Sequence, residues 1–399
     1  MIKRIFKTKF IYIFPILMGI LWALSMSWQS PTSRCMEPFV STVPAPMPNT
    51  ISGLRARLES YRFRSRSMPD WWKRDRGFRH PEQVYSYSAQ KIVLDGDDVW
   101  TVSYSTPAIQ RYNTITGEQT VYHTVDGKEI KWVRHLLITR DGYLWIFVKI
   151  DASYQLALFD RGTNAFEPIV GNFPWSTWNG VRPPRWEASP IEVINGDLAI
   201  AFDKNIYLYD PRQNIAQPLL PNDFNFVIES LAVSGSRLWF IAAGTKELWS
   251  LDISTRKATN YGGTPKEQFG LITVDYSGKV WLGYFAYLEM NNEGKYEWMY
   301  PSPYPPEFIS LVHPYEDSLS DNGEKEYRWA SIFSSFVASD NSVWFLTDSG
   351  IVKYDPHHDT WCLSAPVRVH SMAEDKNGNL WMMPDDPEYQ GLYKYELNP

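Results

Sequence analysis

From about residue 82 onward, apolar residues fall into short runs that alternate with polar ones, and clusters of Asp, Asn, Gly and Ser separate the runs. No long stretch keeps a helical period, so the pattern predicts strands joined by hairpins. One mark recurs along the chain: a polar turn, then an aliphatic residue, then Trp. It reads Asp95-Gly96-Asp97-Asp98-Val99-Trp100 and again Asp141-Gly142-Tyr143-Leu144-Trp145. Later copies end at Leu238-Trp239, Val280-Trp281, Val343-Trp344 and Leu380-Trp381. A degenerate copy, Asn195-Gly196-Asp197-Leu198-Ala199, lacks the Trp but stands where a copy is due. Successive marks lie 45, 54, 40, 42, 63 and 37 residues apart.

Each copy has the same internal order. An apolar run such as Leu136-Leu137-Ile138 precedes the turn, and the Trp opens a second strand. A third strand closes on another turn, as in Ile206-Tyr207-Leu208-Tyr209-Asp210-Pro211. A more polar fourth strand follows, such as Glu118-Gln119-Thr120-Val121-Tyr122. Four strands in a unit of about 40–45 residues is the size of a propeller blade. The expected fold is therefore all-β: a seven-bladed β-propeller of four-stranded antiparallel blades over residues 82–399. The last copy stops after its third strand, Leu392-Tyr393-Lys394-Tyr395. Residues 83–88 (QVYSYS) are expected to supply the missing fourth strand and close the ring, which would leave no open edge.

Composition narrows the function. Trp 18, Tyr 24 and Phe 20 make the chain 16% aromatic, which excludes a disordered protein. Two cysteines, Cys35 and Cys362, cannot build a disulfide scaffold or a thiolate zinc site. They stand either as two separate thiols or as one pair outside a reducing compartment. The formal net charge of −6 argues against a nucleic-acid partner. That charge is unevenly spread: residues 1–80 carry 14 Lys and Arg against 4 Asp and Glu, and the rest carry 25 against 41.

The first residues place the protein. Residues 1–9 hold Lys3, Arg4, Lys7 and Lys9 without an acid, and residues 10–28 are 19 uncharged, mostly apolar residues. That length suits a transmembrane helix, and the preceding basic residues put its N-terminus in the cytoplasm. Small residues at Ala23, Ser25 and Ser27 equally permit a signal peptide, with secretion after cleavage. Both readings place the propeller outside the cytoplasm, tethered to the membrane in the first. Residues 29–81 read as a linker, rich in Pro and Ser and then in Arg, that is a solvated tether, docks on the acidic body or touches lipid.

The run Asp375-Lys376-Asn377-Gly378-Asn379-Leu380-Trp381, followed by Gly391-Leu392-Tyr393-Lys394-Tyr395, resembles the repeat of two-component-regulator propellers. Ser349-Gly350-Ile351-Val352-Lys353-Tyr354-Asp355-Pro356 is similar to that repeat's second half. Streptogramin-lyase-like propellers have similar turns. The likeness covers most of residues 83–399 at the level of the blade and implies a binding or sensing ectodomain.

Three places carry candidate chemistry. Asp375, Asn377 and Asn379 alternate like the start of a calcium loop, but Gly378 falls at the fourth position and no glutamate closes it, so a hairpin turn is expected. The second place is the face that carries the long links between blades. The links at 172–190 and 301–329 supply Trp175, Trp178, Arg182, Arg185, Trp186, Tyr304 and Tyr315, with Trp329 at the end, as candidate ligand-binding residues. Aromatic faces beside Arg suit sugar rings or a peptide anchor. The plainer expectation is that these rings pack on the rim.

The third place is the channel mouth. Inner strands aligned backward from each turn bring Gln90, His135, Pro190, Glu229, Gly270, Ser334 and His370 to one level. His135, Glu229 and His370 are then candidate ligands for a divalent cation, or acid and base around a substrate. Arg134 and Arg368 stand ready for an anion. The alternative is a polar lining of a wet channel. No phosphate-binding Gly-rich loop, nucleophile elbow or metalloprotease motif is present, and no catalytic residue is assigned. Two functions remain: a module binding a ligand, protein or glycan through the loop-rich face, or a lyase or hydrolase acting on a carbohydrate or small molecule at the channel mouth.

Overall fold

A computed structural model describes residues 72–75 and 89–396, apart from 104–106, 140, 152, 172, 174–190, 203, 222–223, 264–270, 283–286, 291–295, 300–312, 320–324, 329–331, 348–349, 358–359, 366 and 385–390. The candidate membrane segment at 10–28 lies outside the described residues. Among those described, no helix is long and apolar enough to cross a membrane.

Six four-stranded sheets and one five-stranded sheet follow one another as antiparallel meanders. Their innermost strands are Ala89–Asp95, Lys128–Ile138, Ile191–Ile194, Ile228–Ser234, Ile272–Val274, Ile332–Val337 and Val369–Glu374. Each touches the innermost strand of the blade before and the blade after, and the seventh touches the first. The chain is a seven-bladed β-propeller. Blade 2 gains its fifth strand from Thr124–Val125, which folds back on the extended start of Lys128–Ile138 through Asp126-Gly127. The long link before blade 6 contains a hairpin of its own, His313–Leu319 with Lys325–Arg328.

The repeated Trp is what joins blade to blade. Trp100 is buried in a cluster with Phe159 and Phe166 of the following blade, and Trp145 in one with Leu198 and Ile200. Trp239, Trp281, Trp344 and Trp381 each meet the next blade in the same way, and the last of them reaches Ile92 and Val99 of blade 1. Burying such a side chain removes a large apolar area from water, which is the main source of cohesion between blades. Blade 3 has Ala199 at this place, and its interface with blade 4 is filled from the other side by Phe240, Phe224 and Trp249.

Ring closure departs from the expected strand. The outer strand of blade 7 is Trp72–Asp75, not residues 83–88, and it pairs antiparallel with Leu392–Tyr395. Residues 83–88 lie outside the described ones. Specific contacts select the earlier segment: Lys73 pairs with Glu396 at 2.9 Å, and Asp75 accepts a hydrogen bond from the Tyr112 hydroxyl of blade 1 at 2.8 Å. The closing strand thus joins the last blade and also grips the first.

The turns after the innermost strands come in two lengths. Blades 1, 3 and 4 use two residues, with positive φ at Gly96, at Asn195 and Gly196, and at Gly235. Blades 2, 5, 6 and 7 use a five-residue loop whose first N–H bonds the last carbonyl, as in Asp275 to Lys279 and Asp375 to Asn379. Its fourth residue is Gly142, Gly278, Asn341 or Gly378, all at positive φ. The Trp then pairs with the residue seven earlier in short-turn blades (Val93, Ala232) and eight earlier in long-turn blades (Leu137, Thr273, Phe336, Ala373).

Candidate functional site

That difference of one residue decides what meets at the channel mouth. Opposite the residue two beyond the Trp stand Lys91, His135, Ser230 and Ser334 in blades 1, 2, 4 and 6. Gln90 and Glu229 fall one residue earlier, in irregular steps of their ladders, and His370 falls in the irregular step between Val369 and Met372. A one-residue shift turns a strand's side chains to the other face. His135, Glu229 and His370 are therefore not equivalent positions. The side chain of Glu229 is outside the described ones, and among the described residues no three His, Cys, Asp or Glu are grouped to hold a metal.

His135 is buried, and its ring hydrogen-bonds the backbone of Ile191 in the next blade. Burial pushes its pKa well below the ordinary value, and the charges of Lys91 and Arg134 push the same way. The imidazole is thus neutral at physiological pH, in surroundings that repel a cation.

On the same face of blade 2, toward the loop-rich end, one cross-strand row reads Trp132, Lys149, Tyr154. Trp132 is 44% exposed although it belongs to a strand. Lys149 sits 6.0 Å from the centre of the Tyr154 ring, and that ring stacks on Phe147 at 5.5 Å. Below the row, Phe173 is buried against Tyr209. One aromatic residue of the link between blades 2 and 3 thus packs on the rim. Trp175, Trp178, Arg182, Arg185, Trp186, Tyr304 and Trp329 lie outside the described residues. Tyr315 is on the strand His313–Leu319, whose side chains are not described.

The cleft with the most distinct chemistry among the described residues lies on the opposite, turn-bearing face, between blades 4 and 5. It encloses about 650 Å³ and is lined by the turn Ser234–Arg237 and by Trp239, Asp252, Ser277, Lys279, Glu289 and Tyr296. Its wall is aromatic: Trp239 lies against Tyr261 at 5.1 Å, and Tyr261 against Tyr296 at 4.7 Å. The Tyr261 hydroxyl is held by Ser250 at 3.1 Å.

Among the described residues, a cation rests over the Trp in four blades. In blades 1, 6 and 7 it comes from the residue opposite the Trp on the third strand: Arg111, Lys353 and Lys394. Each has an acid, Asp98 at 2.7 Å, Asp340 at 3.5 Å and Glu396 at 3.7 Å. Blade 4 has Ser250 opposite Trp239, and Arg237 covers the indole from its own strand at 5.7 Å. Asp252 faces Arg237 in the ladder, and its Oδ1 accepts hydrogen bonds from Ser254 and Thr255. Those bonds hold Asp252 down to about 2. Arg237 therefore makes no ion pair among the described residues. The sequence carried a signal for this cleft: Ser250 stands where three other blades have Arg or Lys.

The turn acids serve structure. Asp375 Oδ1 accepts the N–H groups of Asn377 and Asn379, while Oδ2 accepts the Trp381 Nε1–H and the Asn379 side chain. Asp275 holds Trp281 in the same way at 2.9 Å. With their lone pairs occupied within the turn, these residues are hairpin elements and not a calcium loop.

No protein-family model and no curated protein matches the chain. Solved structures do, at the level of the fold. The extracellular domain of BT4673 from B. thetaiotaomicron, assigned to the one-component systems, is 15% identical with a TM-score of 0.53, over 78% of this chain and 41% of that one. The present chain thus spans about two-fifths of that protein's length. A catalytically inactive virginiamycin B lyase from Staphylococcus aureus with Quinupristin is 13% identical with a TM-score of 0.52, covering 82% and 98%. YCF48 bound to D1 peptide is 12% identical with a TM-score of 0.53, covering 84% and 100%. The streptogramin-lyase-like resemblance holds for the propeller.

Proposed function

We propose that the chain is an extracytoplasmic binding module, tethered by residues 10–28, that takes a protein or glycan partner on its loop-rich face. The observation that carries this reading is the row Trp132, Lys149, Tyr154, in which a large indole stays 44% exposed beside a cation and a second ring. Exposed aromatic residues next to a basic group are the usual anchors of peptides and sugars. The sequence adds the aromatic residues of the links at 172–190 and 301–329 to the same proposal. Two neighbours in fold agree with it: BT4673 uses such a propeller as an extracellular domain, and YCF48 is seen with a peptide. Binding screens on glycan arrays and membrane-protein fractions, with the full chain and with Trp132→Ala, test the proposal. Loss of retained ligands in the variant supports it.

A second reading, a lyase or hydrolase at the channel mouth, starts from the placement of His135 at that end of blade 2, beside Arg134 and bonded to the backbone of Ile191. His135→Ala separates the two readings. An enzyme loses turnover on its substrate, whereas a binding module keeps its partner.

A further inference from the structure

We infer that the cleft between blades 4 and 5, on the face opposite the proposed partner surface, is a second ligand site and takes a small sugar acid. The argument starts from charge. Among the described residues, three of the four cations lying over a blade Trp are balanced by an acid within 3.7 Å, and Arg237 is the exception. Asp252, the acid that stands opposite it, is engaged by Ser254 and Thr255. Across the cleft, Glu289 pairs with Lys279 at 3.6 Å and makes no ion pair with Arg237. A half-buried guanidinium outside any ion pair can still take an anion, and a carboxylate meets its fork with two parallel hydrogen bonds.

The cavity sets the rest of the ligand. Its volume of about 650 Å³ is in the range of small-molecule sites and exceeds what a single inorganic ion needs. Tyr296, 37% exposed, offers a ring face braced edge-on by Tyr261. Ser234 and Ser236 bring hydroxyl groups to the rim, while the Ser277 hydroxyl donates to Asp275 at 2.6 Å. A ring bearing one carboxylate and several hydroxyls uses all three features: carboxylate on Arg237, hydroxyls on the serines, ring face on Tyr296. In blade 4 the cation stands on the second strand, at the turn that lines the cleft, and Ser250 lies opposite Trp239. The site does not depend on the loop-rich face, and its test is independent of the partner screen.

Titration calorimetry on the full chain in detergent, with glucuronate, glucose and acetate as probes, tests the inference. Glucuronate is expected to bind, with glucose and acetate each at least tenfold weaker. Arg237→Met is expected to weaken glucuronate at least tenfold, and Arg237→Lys by less. Tyr296→Ala, at an exposed position, is the second variant and is expected to weaken glucuronate severalfold while the melting temperature stays put. No glucuronate binding at millimolar concentration, glucose as tight as glucuronate, acetate as tight as glucuronate, or undiminished binding in both folded variants would each overturn the inference.

Discussion

The indole of Trp381 hangs from the carboxylate of Asp375, six residues earlier, by an Nε1–H to Oδ2 bond of 3.0 Å. The same carboxylate shapes the turn between them, so one side chain fixes both the hairpin and the orientation of the ring that seals blade 7 against blade 1. Burial raises the pKa of Asp375, but the bonds from Trp381, Asn379 and Asn377 outweigh it and the net shift is downward. Asp375→Ala leaves a buried indole donor without its acceptor and is expected to cost about 1–3 kcal/mol in urea unfolding. Because the folded pKa is lowered, the carboxylate's contribution is present above the unfolded value and is lost as pH falls through the folded one.

His135 sets a second pH dependence, with the sign fixed by its depressed pKa. Below about pH 6.5 the unfolded chain takes up a proton that the folded chain refuses, so stability falls by about 1.4 kcal/mol per pH unit from this group alone. His135→Gln is expected to flatten that slope between pH 6.5 and 5. An unchanged slope in the variant means that the ring is not held neutral.

The closing strand has its own spectroscopic handle. Burial pushes the Tyr112 phenol up to about 12, and the bond to Asp75 adds to the rise. Asp75→Asn is expected to bring the ultraviolet titration of Tyr112 back toward 10. Its linkage runs the other way from that of Asp375: the contribution is complete below the unfolded pKa and disappears as pH rises through the folded one. Deleting Trp72–Asp75 uncovers the edge of Leu392–Tyr395 and is expected to give aggregation, read by light scattering.

Much of the ring was legible because turn, aliphatic residue and Trp repeat at blade spacing, and even the copy with Ala199 forms a blade, Ile191–Pro218. The closing strand was not. QVYSYS alternates better than Trp72–Asp75, yet the strand observed is Trp72–Asp75, whose contacts reach Tyr112 and Glu396, far away in sequence. The channel-mouth level was misjudged for a local reason. Counting back from each turn ignores that two-residue and five-residue turns differ by one residue in register, which separates His135 from Glu229, while His370 falls in the irregular step between Val369 and Met372. The cleft at Arg237 escaped notice because its cation lies on the second strand, from which none of the other described cations covers its Trp. A search for repeats suppresses such a departure.

Trp132 is expected to be dispensable for stability. Its indole is exposed, so Trp132→Ala should shift the urea midpoint very little, whereas Trp344→Ala, fully buried, should cost about 3–5 kcal/mol. A large loss from Trp132→Ala would assign that ring to packing and not to recognition.

The most direct test of binding through the loop-rich face compares three folded proteins on the same glycan arrays and membrane-protein fractions: the native chain, the Trp132→Ala/Tyr154→Ala variant and Arg237→Met. The account predicts a ligand retained by the native chain and by Arg237→Met but lost by the double variant. Retention of the same ligands by all three, or none by any, contradicts it.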